Sequence, residues 1–421
     1  MHEQYLTVSG PVPEGWRREK IKYHLRRKAV RNQDGARILS LTRDRGVIPR
    51  EELREEPAAS AENLSEYLYV TPGDLVINKM KAWQGAVAVS DYEGIVSSKY
   101  YTYVFTDDAF DRRYFHYMIR SAPYVQQFEM LSGGIRVGQY VLQARDFEDV
   151  EVLIPPLEIQ RAIGSFLDTQ HEKASAITES VNAVVSKLTE YKHAFIVKAA
   201  SGDSEKRRMK DSGLAWMPHM PDEWDLVPLR YLFEERDHKN INLEETNLLT
   251  LSKGDVQRKD ITAEEGLRPA SFRGHNVIEK GDLILRLIDL QNDTETLRTG
   301  ISEERGIISS SYVALKPKGD INPKYFHYLL RAYDLKKVFY AMGDGIRQSI
   351  SYDDISRNLV LPVPDINEQN YIVEKIEAME RSINAIIYRQ KLVFQKTKEY
   401  LKSITAKAVS GNCGDLTPFS E

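Results

Sequence analysis

Tyr114-Phe115-His116-Tyr117 and Tyr325-Phe326-His327-Tyr328 are the same four letters, 211 positions apart (325 − 114). The flanks repeat at nearly the same spacing. Upstream, Pro13 and Trp16 answer Pro221 and Trp224, and Gly73-Asp74-Leu75 answers Gly281-Asp282-Leu283. Downstream, Gly134-Ile135-Arg136 answers Gly345-Ile346-Arg347. Further on, Gln160, Ile163, Lys187, Glu190, Tyr191, Lys198, Ala199, Ser201 and Gly202 answer Gln369, Ile372, Lys396, Glu399, Tyr400, Lys407, Ala408, Ser410 and Gly411. A spacing this constant means two copies of one domain of about 190 residues, far too long for a solenoid unit. Two like modules in one chain suggest a protein that meets two like things at once.

The bulk numbers agree. With 421 residues and 42% hydrophobic content the chain can build two cores. Its start has neither a basic nor an apolar leader region, and no apolar run of about 18 residues occurs, so a cytoplasmic protein without a membrane span is expected. The single cysteine, Cys413, excludes an internal disulfide framework and a cysteine-based zinc site. A net charge of −4 argues against a simple nucleic-acid coat. It can hide a polarised surface, however, because residues 17–31 carry eight cations against Glu19. That run reads either as a nucleic-acid patch or as a solvated helix face.

Each copy reads as short mixed elements followed by one long helix. Arg37–Leu41 with 248–251, Asp74–Ile77 with 282–285, and Gly94–Ser98 with 306–310 are β-type runs bounded by Gly, Pro and Asp. The Tyr114 and Tyr325 segments have helical spacing. The fold class is therefore α+β. Pro155-Pro156 and Pro362 with Pro364 close the modules, and a heptad-like stripe follows each. One stripe runs from Ile159 and Ile163 through Ile177 and Tyr191 to Phe195, broken by Gln170; the other runs from Ile372 through Ile386, Val393 and Tyr400 to Ile404, with Gln390 and Thr397 on it. Each spans about 40 residues, roughly 60 Å of helix, and needs a partner for its stripe; the obvious partner is the other helix. The organisation expected is a module over 1–156, a long helix over 157–202, a polar linker over 203–219, a second module over 220–365, a second long helix over 366–411 and a tail over 412–421.

Several chemistries are missing. No Gly-x-x-x-x-Gly-Lys-Ser/Thr loop occurs, so no P-loop is present. The only Pro-Pro pair, Pro155-Pro156, lacks the flanks of an amino-methyltransferase tetrad, and neither Pro221-Asp222 nor Pro364-Asp365 leads into a Glu-x-Lys nuclease strand. His116 and His327 sit inside aromatic clusters and read as core residues rather than ligands.

The order of these marks, duplicated, resembles one family: the specificity subunits of type I restriction-modification enzymes. The residues that carry the resemblance are the Pro-x-x-Trp openings at Pro13 and Pro221, the Gly-Asp-Leu starts, the Tyr-Phe repeats, the Gly-Ile-Arg loops and the proline junctions running into Gln160 and Gln369. Lys210-Asp211-Ser212-Gly213 before Trp216 is similar to the family's entry to its second module. The likeness covers residues 12–411. It implies two target-recognition domains alternating with two long helices paired as an antiparallel coiled coil, with pseudo-twofold symmetry. It also implies a non-catalytic reader of double-stranded DNA, each module binding half of a split target while the helices set the separation. The partners implied are modification subunits, expected to be two, that use S-adenosylmethionine to methylate adenines, and restriction subunits that use ATP and Mg2+. No cofactor is expected in this chain.

The DNA-facing candidates are polar and aromatic groups in loops. In the first module the loop after the Gly-Asp-Leu run offers Lys79 and Lys81 for phosphates or guanine, Trp83, and Gln84 for adenine. The matching loop in the second offers Arg286, Asp289, Gln291 and Asn292. These loops differ sharply where the frameworks agree, as two readers of different half-sites require, although drift in exposed loops would look the same. Arg136 and Gln139, with Arg347 and Gln348, lie in glycine-rich loops suited to base edges or to structural carbonyls. Lys99 with Tyr100, and Ser311, follow duplicated serine pairs and are either contacts or framework. Two rival readings are an adaptor holding two protein-binding domains on a coiled-coil spacer and an enzyme with an unrecognised site.

Overall fold

In the computed structural model the described residues are 11–31, 35–53, 64–133, 140–203, 207–259, 271–290, 297–342 and 349–412. The first copy runs β1 (Arg17–Lys20), β2 (Leu25–Arg27), β3 (Leu39–Thr42), β4 (Gly46–Pro49), β5 (Leu68–Val70), β6 (Leu75–Asn78), β7 (Val87–Val89), β8 (Gly94–Val96) and β9 (Tyr100–Phe105). Helices α1 (Arg112–Arg120), α2 (Ala122–Leu131) and α3 (Ala144–Glu148) lead to β10 (Glu151–Ile154) and the long α4 (Leu157–Ala200). The second copy begins with β11 (Met209–Leu214) and β12 (Met217–Pro221). It continues through β13 (Asp225–Pro228), α5 (Leu229–Leu232), β14 (Phe233–Glu235), β15 (Leu249–Ser252), β16 (Asp255–Arg258), β17 (Asn276–Ile278) and β18 (Leu283–Leu285). Then come β19 (Thr299–Ile301), β20 (Gly306–Ile308), β21 (Val313–Pro317), α6 (Pro323–Leu335), α7 (Tyr352–Asn358), β22 (Val360–Val363) and the long α8 (Ile366–Val409).

The sheets repeat as the letters do. The order β2-β9-β6-β7 in the first copy is β14-β21-β18-β19 in the second, and the pairs β1–β10, β3–β4 and β5–β8 return as β13–β22, β15–β16 and β17–β20. All of these paired ladders are antiparallel. The duplicated Gly94 and Gly306 have a steric reason: a Cβ there would strike the backbone carbonyls of Arg37 and Asn247, which cross at contact distance.

The repeated Tyr-Phe-His-Tyr has a structural job at each letter. Asp111 and Asn322 cap the helix starts by accepting backbone N–H groups. The first tyrosine donates to the last strand, Tyr114 Oη to the Leu153 carbonyl at 3.2 Å and Tyr325 Oη to the Pro362 carbonyl at 3.0 Å. Phe115 and Phe326 fill the cores. The second tyrosine reaches the long helix, Tyr117 to Asp168 at 2.6 Å and Tyr328 to Glu380 at 2.7 Å. His116 and His327 are held neutral; loss of water, then Arg120, brings the His116 pKa down to about 3, and loss of water with Arg331 and Lys324 acts on His327 in the same direction.

Compact packing does not follow chain order. One unit is residues 1–181 with 391–421, the other residues 182–390. Inside the first, Ile163 and Leu167 from the start of α4 share a core with Ile404, Ala408 and Val409 from the end of α8, and Tyr400 Oη donates to Gln170 at 3.2 Å. Inside the second, Ile196 and Ala200 from the end of α4 share a core with Ile372 and Ile376 from the start of α8. Start meets end in both, so the helices run antiparallel. Gln170, which breaks the apolar stripe, is the acceptor for Tyr400. Not every stripe residue is covered: Ile177, Tyr191, Ile386, Val393 and Tyr400 are exposed, because a two-helix seam buries a narrower band than the stripe offers.

Two expectations change. The 203–219 stretch is not a plain linker, since it contains β11 and part of β12. Gly213 supplies the left-handed turn, the Ser212 hydroxyl donates to the Met217 carbonyl, and the Trp216 ring centre lies 4.5 Å from that of Tyr333. Nor is the basic 17–31 run a helix face. β1 is captured by the ladder with β10 and β2 by the ladder with β9, and such pairing overrides the helical leaning of arginine and lysine.

Candidate nucleic-acid interface

A cleft of about 360 Å³ opens on the first module where β3, the loop after β6 and the turn before β9 meet. Leu39 and Leu41 of β3 are buried in the core, and Leu39 and Ser40 both line the cleft. The loop after β6 is held by its own short-range bonds. Asn78 Oδ1 accepts the Met80 N–H at 3.1 Å, Trp83 Nε1 donates to the Met80 carbonyl at 3.0 Å, and Gly85 closes the turn at φ +89°. The Trp83 ring meets Tyr140 edge-on at 5.4 Å. This fixes Lys81, Trp83 and Gln84 on one rim of the cleft, with Lys99 and Tyr100 on the other.

The second module has a cleft at the same place, wider, at about 680 Å³. Thr250 and Ser252 of β15, Arg286 and Ile288 of the loop after β18, and Ser311 and Tyr312 before β21 line it. The serine turn before the last strand is the same in both, Ser97 accepting from Lys99 and Ser309 from Ser311. The loop after β18 is built differently. Arg298, fully buried, donates to the carbonyls of Arg286 at 3.1 Å, Ile288 at 2.9 Å and Asp289 at 3.3 Å, and Asp289 adopts φ +56°.

Among the sequence-derived candidates, Lys81, Trp83, Gln84, Lys99 and Tyr100 thus share one cleft, and Arg286 and Ser311 share the other. Lys79 lies outside the cleft lining, 5.8 Å from the Tyr101 ring centre. Asp289 contributes its carbonyl to the Arg298 scaffold. Arg136, Gln139, Gln291, Asn292, Arg347 and Gln348 fall outside the described residues. Sequence reasoning missed Ser40, Arg50 and Tyr67 in the first cleft and Thr250, Gln257 and Lys259 in the second. The Leu-Ser-Leu and Leu-Thr-Leu alternation of β3 and β15 was the available signal.

Behind the clefts the framework is common. Buried Gln160 accepts the Asp111 N–H and donates to the Ala109 and Pro155 carbonyls, each at 2.8 Å. Gln369 accepts the Asn322 N–H at 2.8 Å and donates to the Pro364 carbonyl at 2.9 Å. Arg120 donates to the Arg43, Asp44 and Val87 carbonyls, and Arg331 to the Gly254 and Thr299 carbonyls, so each anchors the hairpin beside its cleft. Among the described residues no cluster of three or more His, Cys, Asp or Glu is placed to hold a metal ion, and no helix is long and apolar enough to cross a membrane.

A family model described as the type I restriction modification DNA specificity domain matches residues 60–187, which include the first cleft's loop after β6, the turn before β9 and the proline junction into α4. Two curated relatives extend the likeness along the chain. The type I restriction enzyme EcoBI specificity subunit of Escherichia coli is 18% identical over 366 residues, 83% of this chain and 75% of that protein. The MjaVIII specificity subunit of Methanocaldococcus jannaschii is 20% identical over 358 residues, 81% of each. The chain is thus similar to type I specificity subunits along most of its length. Among solved structures, a chain from work on complex assembly and conformational transition of the type I R-M system has the same fold, with a TM-score of 0.60 at 14% identity over 96% of this chain and 100% of that one. Here the mixed modules alternate with long helices.

Proposed function

We propose that this chain is the DNA target-recognition subunit of a type I restriction-modification complex, and that its two clefts read the two halves of a split target. The observation that carries this reading is a pair of clefts built from equivalent strands and turns but rimmed by different chemistry. Lys81, Trp83, Gln84 and Lys99 face the first, and Arg286, Ile288 and Ser311 the second. Arginine and lysine suit guanine edges and phosphates, glutamine suits adenine, and an apolar side chain suits a thymine methyl. Antiparallel α4 and α8 would hold the half-site separation. Their exposed apolar residues, such as Ile177 and Tyr191 on α4 and Tyr388 and Leu392 on α8, suit docking of two modification subunits. The chain would do no chemistry itself; S-adenosylmethionine, ATP and Mg2+ would serve the modification and restriction subunits in the cytoplasm. The test is co-expression with a modification subunit followed by genome-wide mapping of methylated adenines. A bipartite motif with a fixed gap is expected, and no methylation above the level of the modification subunit alone would reject the reading.

A further inference from the structure

The basic run near the start of the chain separates, once folded, into cations that are tied down and cations that are not. Arg17 pairs with Glu19, Lys20 and Lys22 share Asp149, Lys28 meets Asp74, and Arg31 donates to the Glu66 carbonyl. Arg26 and Arg27, on the edge strand β2, are exposed and have no acidic partner among the described residues. The Arg27 guanidinium lies 4.8 Å from the centre of the Tyr101 ring, and Lys79 Nζ lies 5.8 Å from the same centre. The cluster lies at the same end of the sheet as the first cleft, where the end of β6 pairs with the start of β9 through Asn78 and Tyr100, while strand alternation turns Tyr101 to the face opposite Tyr100.

The second copy reverses the charge at the same positions. Arg27 pairs with Tyr103 on the neighbouring strand, and the residue in that register position on β14 is Glu235, paired with Leu315. Glu234 replaces Arg26, Leu287 replaces Lys79 and Val313 replaces Tyr101. Charges on an edge strand protect it from pairing with other chains, but either sign does that equally well. A polyanion would distinguish the two strands, since Glu234 of the second is paired with Lys316 and Arg27 of the first meets no acid among the described residues.

We infer that Arg27 and Lys79 form a rim that grips the DNA phosphate backbone on the first module alone, so that this module anchors the duplex while the second relies on base-edge contacts. The inference rests on the DNA-reading function proposed above. A guanidinium lying over an aromatic ring is oriented and weakly hydrated before DNA arrives, so little ordering remains to be done on binding. Phosphate contacts made this way act on every sequence alike.

The test is binding of the full chain to random-sequence duplex DNA over a series of NaCl concentrations. Each lost phosphate contact lowers the slope of log K against log salt by about 0.9, so the double variant Arg27→Gln/Lys79→Gln should lower it by about 2, while Arg17→Gln leaves it unchanged. Arg27→Lys, which keeps the charge, should retain the wild-type slope. A double variant that binds with the wild-type slope overturns the rim and leaves the DNA-reading function standing. A wild-type chain that binds no duplex at any salt overturns that function, and the rim with it.

Discussion

The loop after β6 and the loop after β18 occupy the same place in the two copies and are held by unrelated means. The first holds itself, through an asparagine turn, a left-handed glycine and the Trp83 N–H on the Met80 carbonyl. The second depends on Arg298, which reaches in from just before β19 to collect three carbonyls. Both rest on the same buried glutamine, the same tyrosine bonds and the same antiparallel helix seam. The framework is shared and the cleft edge differs, as the proposed reading of two half-sites requires.

That contrast can be broken most severely at Arg298. Arg298→Met should leave three carbonyls unpaired inside the second module, costing about 3 kcal/mol or more, and should abolish recognition of one half-site. The first half should still be read. Thermal unfolding and a binding assay with each half of the target altered in turn would check both parts.

The shared framework makes the opposite demand, namely equal damage in either copy. Gln160→Leu orphans one backbone N–H and two carbonyls and Gln369→Leu one N–H and one carbonyl, so each should cost about 2–3 kcal/mol. Denaturant midpoints that differ widely between the two variants would mean that the repeats are not energetically equivalent.

Acid should act on both copies in one direction. The His116 pKa lies at about 3 in the folded protein against 6.5 in the unfolded chain, so the unfolded state binds the proton first. The stability His116 contributes is therefore complete above about pH 6.5 and is lost as pH falls toward 3. His327, shifted the same way, should behave alike in the second copy. A pH series of unfolding midpoints should decline over that window, and His116→Gln should flatten part of the decline.

The smallest effect is expected at Trp83. Trp83→Phe keeps a ring against Tyr140 but removes one hydrogen bond, a loss of about 1 kcal/mol, and should relax discrimination at the first half-site only. Relaxation at both halves would contradict separate reading edges.

The repeat, the strand starts and the long helices were legible because each rests on local pattern: glycine where backbones cross, proline at the module ends, and apolar spacing along the helices. Lys81, Trp83, Gln84 and Lys99 could be chosen because the divergent loop after β6 and the serine pair before β9 stand out against the shared framework. Arg298 gave no such signal, since its role is set by a crossing of β19 and the loop after β18 that no spacing announces. The basic run misled because arginine and lysine favour helices, while the ladders that capture β1 and β2 come from distant strands β10 and β9. The β11–β12 hairpin was hidden by polar residues whose turn bonds only the fold reveals.

Whether each cleft reads its own half of one target is tested by methylation-motif mapping for the assembled complex carrying either Gln84→Ala or Arg286→Ala. A split motif is expected in which Gln84→Ala loosens bases in one half and Arg286→Ala bases in the other, with the gap unchanged. A single contiguous motif, or loosening of the same half by both substitutions, would contradict it.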